Sequence, residues 1–396
     1  MELSKRAQSV PASPMRKLLP YAEEAEKRGI EVYRLNIGQP DIETPSVFYE
    51  TIEKNEPKTL AYSVSAGRDN LRNAMLQYYD SIGISLKFEN INVTTGGSEA
   101  IRFAYALVCD PEDEILVFEP YYANYNSISK MLEVNLVPIT THSDTGYHMP
   151  AKEEIVKKIT SKTRAIFICN PNNPTGTVFT KEEVEMVGQI AKENDLFLIA
   201  DEVYREFVYD GTKPTSVLSL SGVEDRVILA DSLSKRFSLC GARVGCVVSR
   251  SEMVMEALLR MEQTRLSGPT LEEIGSVGAL GLPKSYHDKV TAEYKERRDI
   301  VYEALRQMEG VQCKLPTGAF YVFAKFPIKD AEDFAKWMLT DFSQDKKTVM
   351  VAPGHGFYGT PNVGLDEIRL AYVINSTDLK EAMSVLGAGL KQYLNK

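Results

Sequence analysis

The chain has 396 residues, with 46 Lys plus Arg against 55 Asp plus Glu and a formal net charge of -9. That balance excludes nucleic acid as a main partner, because backbone-phosphate binding needs a basic surface, yet it leaves room for a local anion pocket. With 43% hydrophobic and 26% charged residues, the chain is able to bury a sizeable core in one large domain or two.

In chain order, the N-terminus carries Lys5, Arg6, Arg16 and Lys17, interrupted by Pro11 and Pro14, and no apolar h-region follows. No signal peptide is expected. The arm up to about residue 44 offers no strand of its own and is expected to pack on the C-terminal part of the chain. Beyond it, apolar runs predict strands at 91–95, 114–118, 135–139, 164–169, 196–200, 226–230 and 244–249. Most are continuous rather than alternating, as in strands buried on both faces. Helical patterns lie between them, at 98–108 and at 180–194, the latter opened by the capping box Thr180-Lys181-Glu182-Glu183. This alternation predicts an α/β fold with a helix-covered sheet.

After about residue 282 the texture becomes α+β. A charged helix spans 289–308, a strand pair 311–326, a helix 331–340, a strand 367–372, and a last helix begins at 377. A boundary is therefore placed near 283–290. No apolar run approaches the roughly 20 residues of a membrane helix. The five cysteines form no Cys-x-x-Cys pair, and the four histidines form no zinc motif. No metal site is expected, and a cytoplasmic, enzyme-sized protein is.

Ligands of open α/β sheets bind beyond the carboxyl ends of the strands, so the residues after each apolar run carry the chemistry. The first run leads into Gly96-Gly97-Ser98-Glu99-Ala100, a turn opening a helix whose free amides suit a phosphate. The fourth leads into Asn170-Pro171-Asn172-Asn173-Pro174-Thr175-Gly176, a loop stiffened by two prolines. The fifth leads into Asp201-Glu202-Val203-Tyr204, and the sixth into Asp231-Ser232-Leu233-Ser234-Lys235 with Arg243 shortly after. Singly these are ordinary: a solvated lysine, a helix cap, a glycine turn. Together they place one lysine, one carboxylate, one amide and one arginine at the same end of one sheet. A partly desolvated lysine has a lowered pKa, and its neutral amine attacks an aldehyde. Pyridoxal phosphate (PLP) supplies that aldehyde together with a ring that stores carbanion charge while a carboxylate keeps its nitrogen protonated. Its phosphate needs amide donors and an arginine fork.

The run from Ser232 through Lys235 to Gly241-Ala242-Arg243-Val244-Gly245 resembles the PLP-attachment signature of class I/II aminotransferases. The resemblance extends over nearly the whole chain. It is carried by Leu35-Asn36-Ile37-Gly38-Gln39-Pro40-Asp41, Tyr62 with Gly67, Pro120-Tyr121-Tyr122, Asn173-Pro174-Thr175-Gly176, Asp201 to Tyr204, Pro316 to Tyr321, and Ile368-Arg369-Leu370. It is nearest to bacterial aspartate aminotransferases. It implies a fold type I PLP-transferase with a mostly parallel seven-stranded sheet in a large domain, 45–285. A smaller α+β domain would be built from 1–44 and 286–396.

The resemblance also implies roles. Lys235 forms the Schiff base and shuttles the proton. Asp201 holds the ring nitrogen protonated, Tyr204 and Asn173 bond the ring hydroxyl, and Tyr122 stacks on the ring. Gly97, Ser98, Ser232 and Arg243 hold the phosphate. Arg369 clamps the substrate α-carboxylate with help from Gly38 and Asn173. Tyr62 reaches the neighbour's phosphate across a homodimer with shared active sites. The implied reaction moves an amino group between an L-amino acid and a 2-oxo acid by a ping-pong mechanism. The alternative is a C–S lyase of the cystathionine β type on the same scaffold. Aspartate or glutamate is the favoured substrate type, with aromatic or broad use open. Some bacterial aspartate-type members place a lysine in the Gly-Gly-x turn, where this chain has Ser98. Arg102 and Arg265 are spare cations that either stand in for it or serve as surface or salt-bridge residues, and Pro353-Gly354-His355-Gly356 is either pocket lining or surface loop.

Overall fold

The computed structural model describes residues 1–55 and 57–396. Its first strand, β1 (Glu31–Arg34), lies in the N-terminal arm. Then come β2 (Ile91–Thr94), β3 (Glu114–Glu119), β4 (Asn135–Thr140), β5 (Thr163–Cys169), β6 (Phe197–Asp201), β7 (Val227–Ser232) and β8 (Gly245–Val248). Among the described residues these seven form one sheet in the order β2-β8-β7-β6-β5-β3-β4. Only β8 runs against its neighbours. The seven expected strands are all present, within a few residues of their expected ends.

Their continuous apolar runs are explained by burial on both faces. In β5, Ile166 and Ile168 enter one core while Ala165 and Phe167 enter another. In β3, Leu116 and Phe118 face the first core, and Ile115 and Val117 face the second. The first core is closed by Val184, Val187, Ile190 and Ala191 of the Lys181–Glu193 helix, the second by Ala100, Ile101, Ala104 and Tyr105 of the Gly97–Val108 helix. Each set recurs at helical spacing, so one stripe of each helix is driven out of water. A fully buried side chain of this size contributes about 1.5–3 kcal/mol.

The C-terminal part adds β9 (Tyr321–Lys325), β10 (Lys347–Met350), β11 (Ala352–Pro353) and β12 (Glu367–Ala371). β12 lies between β11 and β9 in an antiparallel sheet. The helices there are Lys284–Gln307, Ala331–Thr340 and Ser376–Leu394. One expectation needs correction. The arm does own a strand, because β1 pairs in parallel with β10, setting Glu31 opposite Lys347. β1 is four residues long and its partner stands at the other end of the chain, so nothing local announces the pair. The arm does pack where expected: Leu18, Tyr33 and Leu35 share a core with Phe320, Tyr321, Leu370 and Leu386. Among the described residues, no helix is long and apolar enough to cross a membrane.

The capping box forms as the sequence predicts. The Thr180 hydroxyl accepts from the Glu183 amide at 3.2 Å, and the Glu183 carboxylate accepts from the Thr180 amide at 2.7 Å. Thr180→Ala should cost about 1 kcal/mol of stability, read as a lower urea midpoint with an unchanged denaturant slope.

Candidate active site

The topology explains why distant residues meet. β5, β6 and β7 run in parallel, so Asn170–Gly176, Asp201 and Ser232 emerge at one edge of the sheet. β2 is antiparallel to β8, which is antiparallel to β7. The carboxyl end of β2 therefore reaches the same edge, and so does the segment entering β8, which carries Arg243. A cavity of about 870 Å3 opens there. Its wall includes Gly38, Gly97, Ser98, Tyr122, Asn173, Asp201, Tyr204, Ser232, Lys235, Arg243 and Arg369. Of the described residues to which the resemblance gives a cofactor or substrate role, Tyr62 alone stands apart. It is 81% exposed and does not line this cavity.

Lys235 sits on a single helical turn, Leu233–Arg236, directly after β7. Its Nζ donates to the Gly38 carbonyl at 2.7 Å and lies 3.7 Å from Cys240 Sγ. Burial lowers its pKa, and no carboxylate pairs with it among the described residues. Asp201 ends β6, with no helix after it, so it is not a helix cap. Its carboxylate is 8% exposed and accepts from the Tyr125 hydroxyl at 2.8 Å and the Val203 amide at 3.2 Å. Burial, opposed by these two bonds, pushes its pKa up to about 6. It has no cationic partner among the described residues.

The Gly97–Val108 helix begins without a side-chain cap, and Gly96 before it has φ of 76°. That backbone conformation requires glycine, and a Cβ there would also stand 2.5 Å from Arg243 Nη2 and displace its guanidinium. Arg243 donates to the Cys240 carbonyl at 2.9 Å and makes no ion pair among the described residues. Ser232 Oγ lies 2.8 Å from Ser234 Oγ.

Arg369, 1% exposed, comes from β12. Its Nη1 donates to Asn173 Oδ1 at 2.9 Å and its Nη2 to the Asn36 carbonyl at 2.5 Å, while Nε is buried without a partner. Its guanidinium lies 4.5 Å from the Tyr321 ring centroid and 4.8 Å from that of Phe357. The Tyr204 and Tyr321 hydroxyls are 2.8 Å apart.

The family model for aminotransferase class I and II matches residues 30–386. The chain belongs to the class I and II aminotransferases. It is 30% identical over 395 residues to an aspartate aminotransferase of Pyrococcus horikoshii, covering 98% of this chain and 97% of that protein. It is 32% identical over 404 residues to an aromatic-amino-acid aminotransferase of Thermococcus litoralis, covering 99% of each. A solved alanine aminotransferase from Pyrococcus furiosus matches it with a TM-score of 0.90 and 31% identity, over 99% of this chain and all of that one. The protein is thus a PLP-dependent aminotransferase, and the lyase alternative is not favoured.

The cavity of this aminotransferase fits PLP. Asp201 is a buried carboxylate lacking a cation, which a protonated pyridine nitrogen would supply. The uncapped helix start and the ion-pair-free Arg243 fit a phosphate. Asn36, Met15, Arg16, Tyr125 and Tyr321 also line or frame the cavity, and none was given a role from the sequence. Tyr321 stood inside a motif of the resemblance, and Tyr125 lay four residues after Tyr121. Asn36 likewise stood inside a motif of the resemblance, whereas Met15 and Arg16 gave no signal, because only the fold brings them here. Arg265 is engaged elsewhere, bonding Glu99 at 3.0 Å and the Ser65 carbonyl at 2.6 Å, and Arg102 does not line the cavity either. His355, Gly356 and Tyr358 do line it.

Ionised and unpaired, Asp201 costs the cofactor-free fold about 3 kcal/mol. Because its folded pKa is raised, that cost is absent at low pH and grows as pH rises from the ordinary carboxylate value through about 6. Asp201→Asn should therefore stabilise the cofactor-free protein, by a margin in urea melts that widens between pH 4.5 and 7. The same variant should bind PLP more weakly.

Proposed function

We propose that the cavity transfers the amino group of an L-amino acid, of the aspartate or glutamate type, to a 2-oxo acid in two half-reactions, with Lys235 as its catalytic base. The observation that carries this is the pair formed by a buried amine without a carboxylate partner and a buried carboxylate without a cation. When bound, PLP supplies an aldehyde carbon and an electron-withdrawing ring. Asp201 would face the ring nitrogen and keep it protonated, with the Tyr125 bond fixing the carboxylate. Tyr204 and Asn173 would bond the ring hydroxyl. The Asn173 Oδ1 is committed to Arg369, which leaves its amide NH2 to donate. Tyr122 would cover the ring and exclude water. The Gly97 and Ser98 amides, Ser232 and Arg243 would hold the phosphate.

Arg369 would bind the substrate α-carboxylate. Its side chain is fixed by Asn173, the Asn36 carbonyl and two aromatic rings, so little rotamer entropy is lost on binding. Gly38 belongs to this group by shape, since a Cβ there would collide with the Tyr321 hydroxyl. With the α-carboxylate anchored, the neutral Lys235 amine takes the proton from the substrate Cα.

We further assign 45–285 to a large domain and 1–44 with 286–396 to a small one. A core drawing on both chain ends supports this division. A homodimer is supported by Tyr49, Leu60, Tyr62 and Val64, large apolar side chains left exposed and outside the cavity lining. A cytoplasmic location is supported by the five unpaired cysteines.

Lys235→Ala should lower transfer from aspartate to 2-oxoglutarate by at least a thousandfold in a coupled assay, and retained turnover would overturn the assignment. Arg369→Leu removes charged hydrogen bonds worth about 2 kcal/mol. It should raise the KM for amino acids roughly thirtyfold, while the visible absorbance of bound cofactor persists.

A further inference from the structure

Five lysine and arginine side chains line the cavity: Arg16, Lys17, Lys235, Arg243 and Arg369. Asp201 is the one lining carboxylate among the described residues. Three of these cations have tasks above, and Lys17 is engaged by Glu332, which also lies 3.2 Å from His355 Nε2. Arg16 remains. Its guanidinium makes neither an ion pair nor a hydrogen bond among the described residues, although both neighbours in sequence are tied down.

Those ties fix where Arg16 stands. The Met15 carbonyl accepts from Asn36 Nδ2 at 3.0 Å, and Met15 Sδ accepts from Arg369 Nη2 at 3.4 Å. The Arg16 amide closes a turn onto the Ser13 carbonyl at 3.0 Å, and Pro14 packs against Gly356. The residue beside Arg16 thus touches the guanidinium assigned to the α-carboxylate. Arg16 lines the same cavity as Tyr122 and Arg369. It thus stands on the wall that those two residues also line, the wall along which the side chain of an anchored amino acid would extend.

We infer that Arg16 is a specificity-determining residue, reading a second carboxylate on the substrate side chain. The inference rests on the assignment of Arg369 to the α-carboxylate. It gives the dicarboxylate preference to the N-terminal arm, in a chain whose Gly-Gly-x turn carries Ser98 instead of a cation. An arginine fork suits this task, since it pairs a carboxylate through two parallel bonds.

The test compares the cofactor-loaded wild type with Arg16→Met and Arg16→Lys. Calorimetry measures the Kd of succinate, a dicarboxylate, and of butyrate, a monocarboxylate of equal length. The expected result is a wild type that prefers succinate. Arg16→Met should weaken succinate at least tenfold with butyrate held within about twofold, and Arg16→Lys should fall between. The ratio of kcat/KM for aspartate over alanine should drop at least tenfold in Arg16→Met. An unchanged succinate Kd, an equal loss for both ligands, or a wild type without succinate preference would each overturn the inference. Loss of succinate selectivity in a wild-type background that transfers no amino group would uphold the Arg16 subsite and instead overturn the catalytic reading.

Discussion

A carboxylate taken out of water must receive either a cation or a proton, and this constraint organises the active-site edge of the sheet. Asp201 and Asp231 stand on neighbouring strands, β6 and β7, at the same edge. Asp231 is given its cation by the fold. Arg236 reaches it at 2.9 and 2.8 Å, with Tyr79 and the Ser232 amide adding bonds at 2.9 and 2.7 Å. Burial pushes the Asp231 carboxyl up, but the Arg236 and Arg205 guanidiniums outweigh it and hold it below its ordinary value. Asp201 receives only two neutral donors and rises to about 6. The contrast divides structural charge from charge kept for a ligand. The Asp231 cluster fixes the turn that presents Ser232 and Lys235, and no cation is supplied to Asp201 among the described residues.

The same division applies to the cations. Arg205 and Arg236 are spent on Glu202 and Asp231, beneath the cavity. Lys235, Arg243 and Arg369 lack ion pairs among the described residues, and burial lowers the pKa of Lys235 and Arg369. A protein holds such groups dry only when surrounding packing over-determines them. Here the packing comes from both ends of the chain. Lys235 donates to Gly38 and Arg369 to Asn36, two carbonyls of the segment leading out of β1, while β1 itself is held by β10. Lys235, just after β7, and Arg369, on β12, are thus referenced to one stretch of backbone.

Much of this was legible in the sequence because the signals were local. The seven strands of the main sheet are continuous apolar runs, and the catalytic candidates follow them immediately. The Thr180 to Glu183 spacing announced a helix start that the structure reproduces. What stayed hidden depends on pairing across the chain. β1 is four residues long and paired with a strand near the other end. Tyr125 lies on a helix face with nothing in its neighbours to mark the Asp201 bond. Arg265, a spare cation on paper, is consumed by Glu99 and backbone carbonyls. A count of charges along the chain cannot tell a spent cation from a free one, because the partner is chosen by the fold.

That distinction also decides where substrate preference can reside. Relatives at about the same distance from this chain act under the names of aspartate, aromatic-amino-acid and alanine aminotransferases. The reaction proposed for this chain would use the dry Lys235, the unpaired Asp201 and Arg369, all positioned by β-strands and their exits. The part of the wall that need not be shared is the stretch from Pro11 to Lys17, which is tied on by a few bonds and carries Arg16 on the cavity wall. Changing a side chain on such a segment alters the charge facing the substrate without disturbing the sheet. A change of charge at Arg16 is separable from the sheet and the lysine, because residues 11–17 bond neither Asp231 nor Lys235.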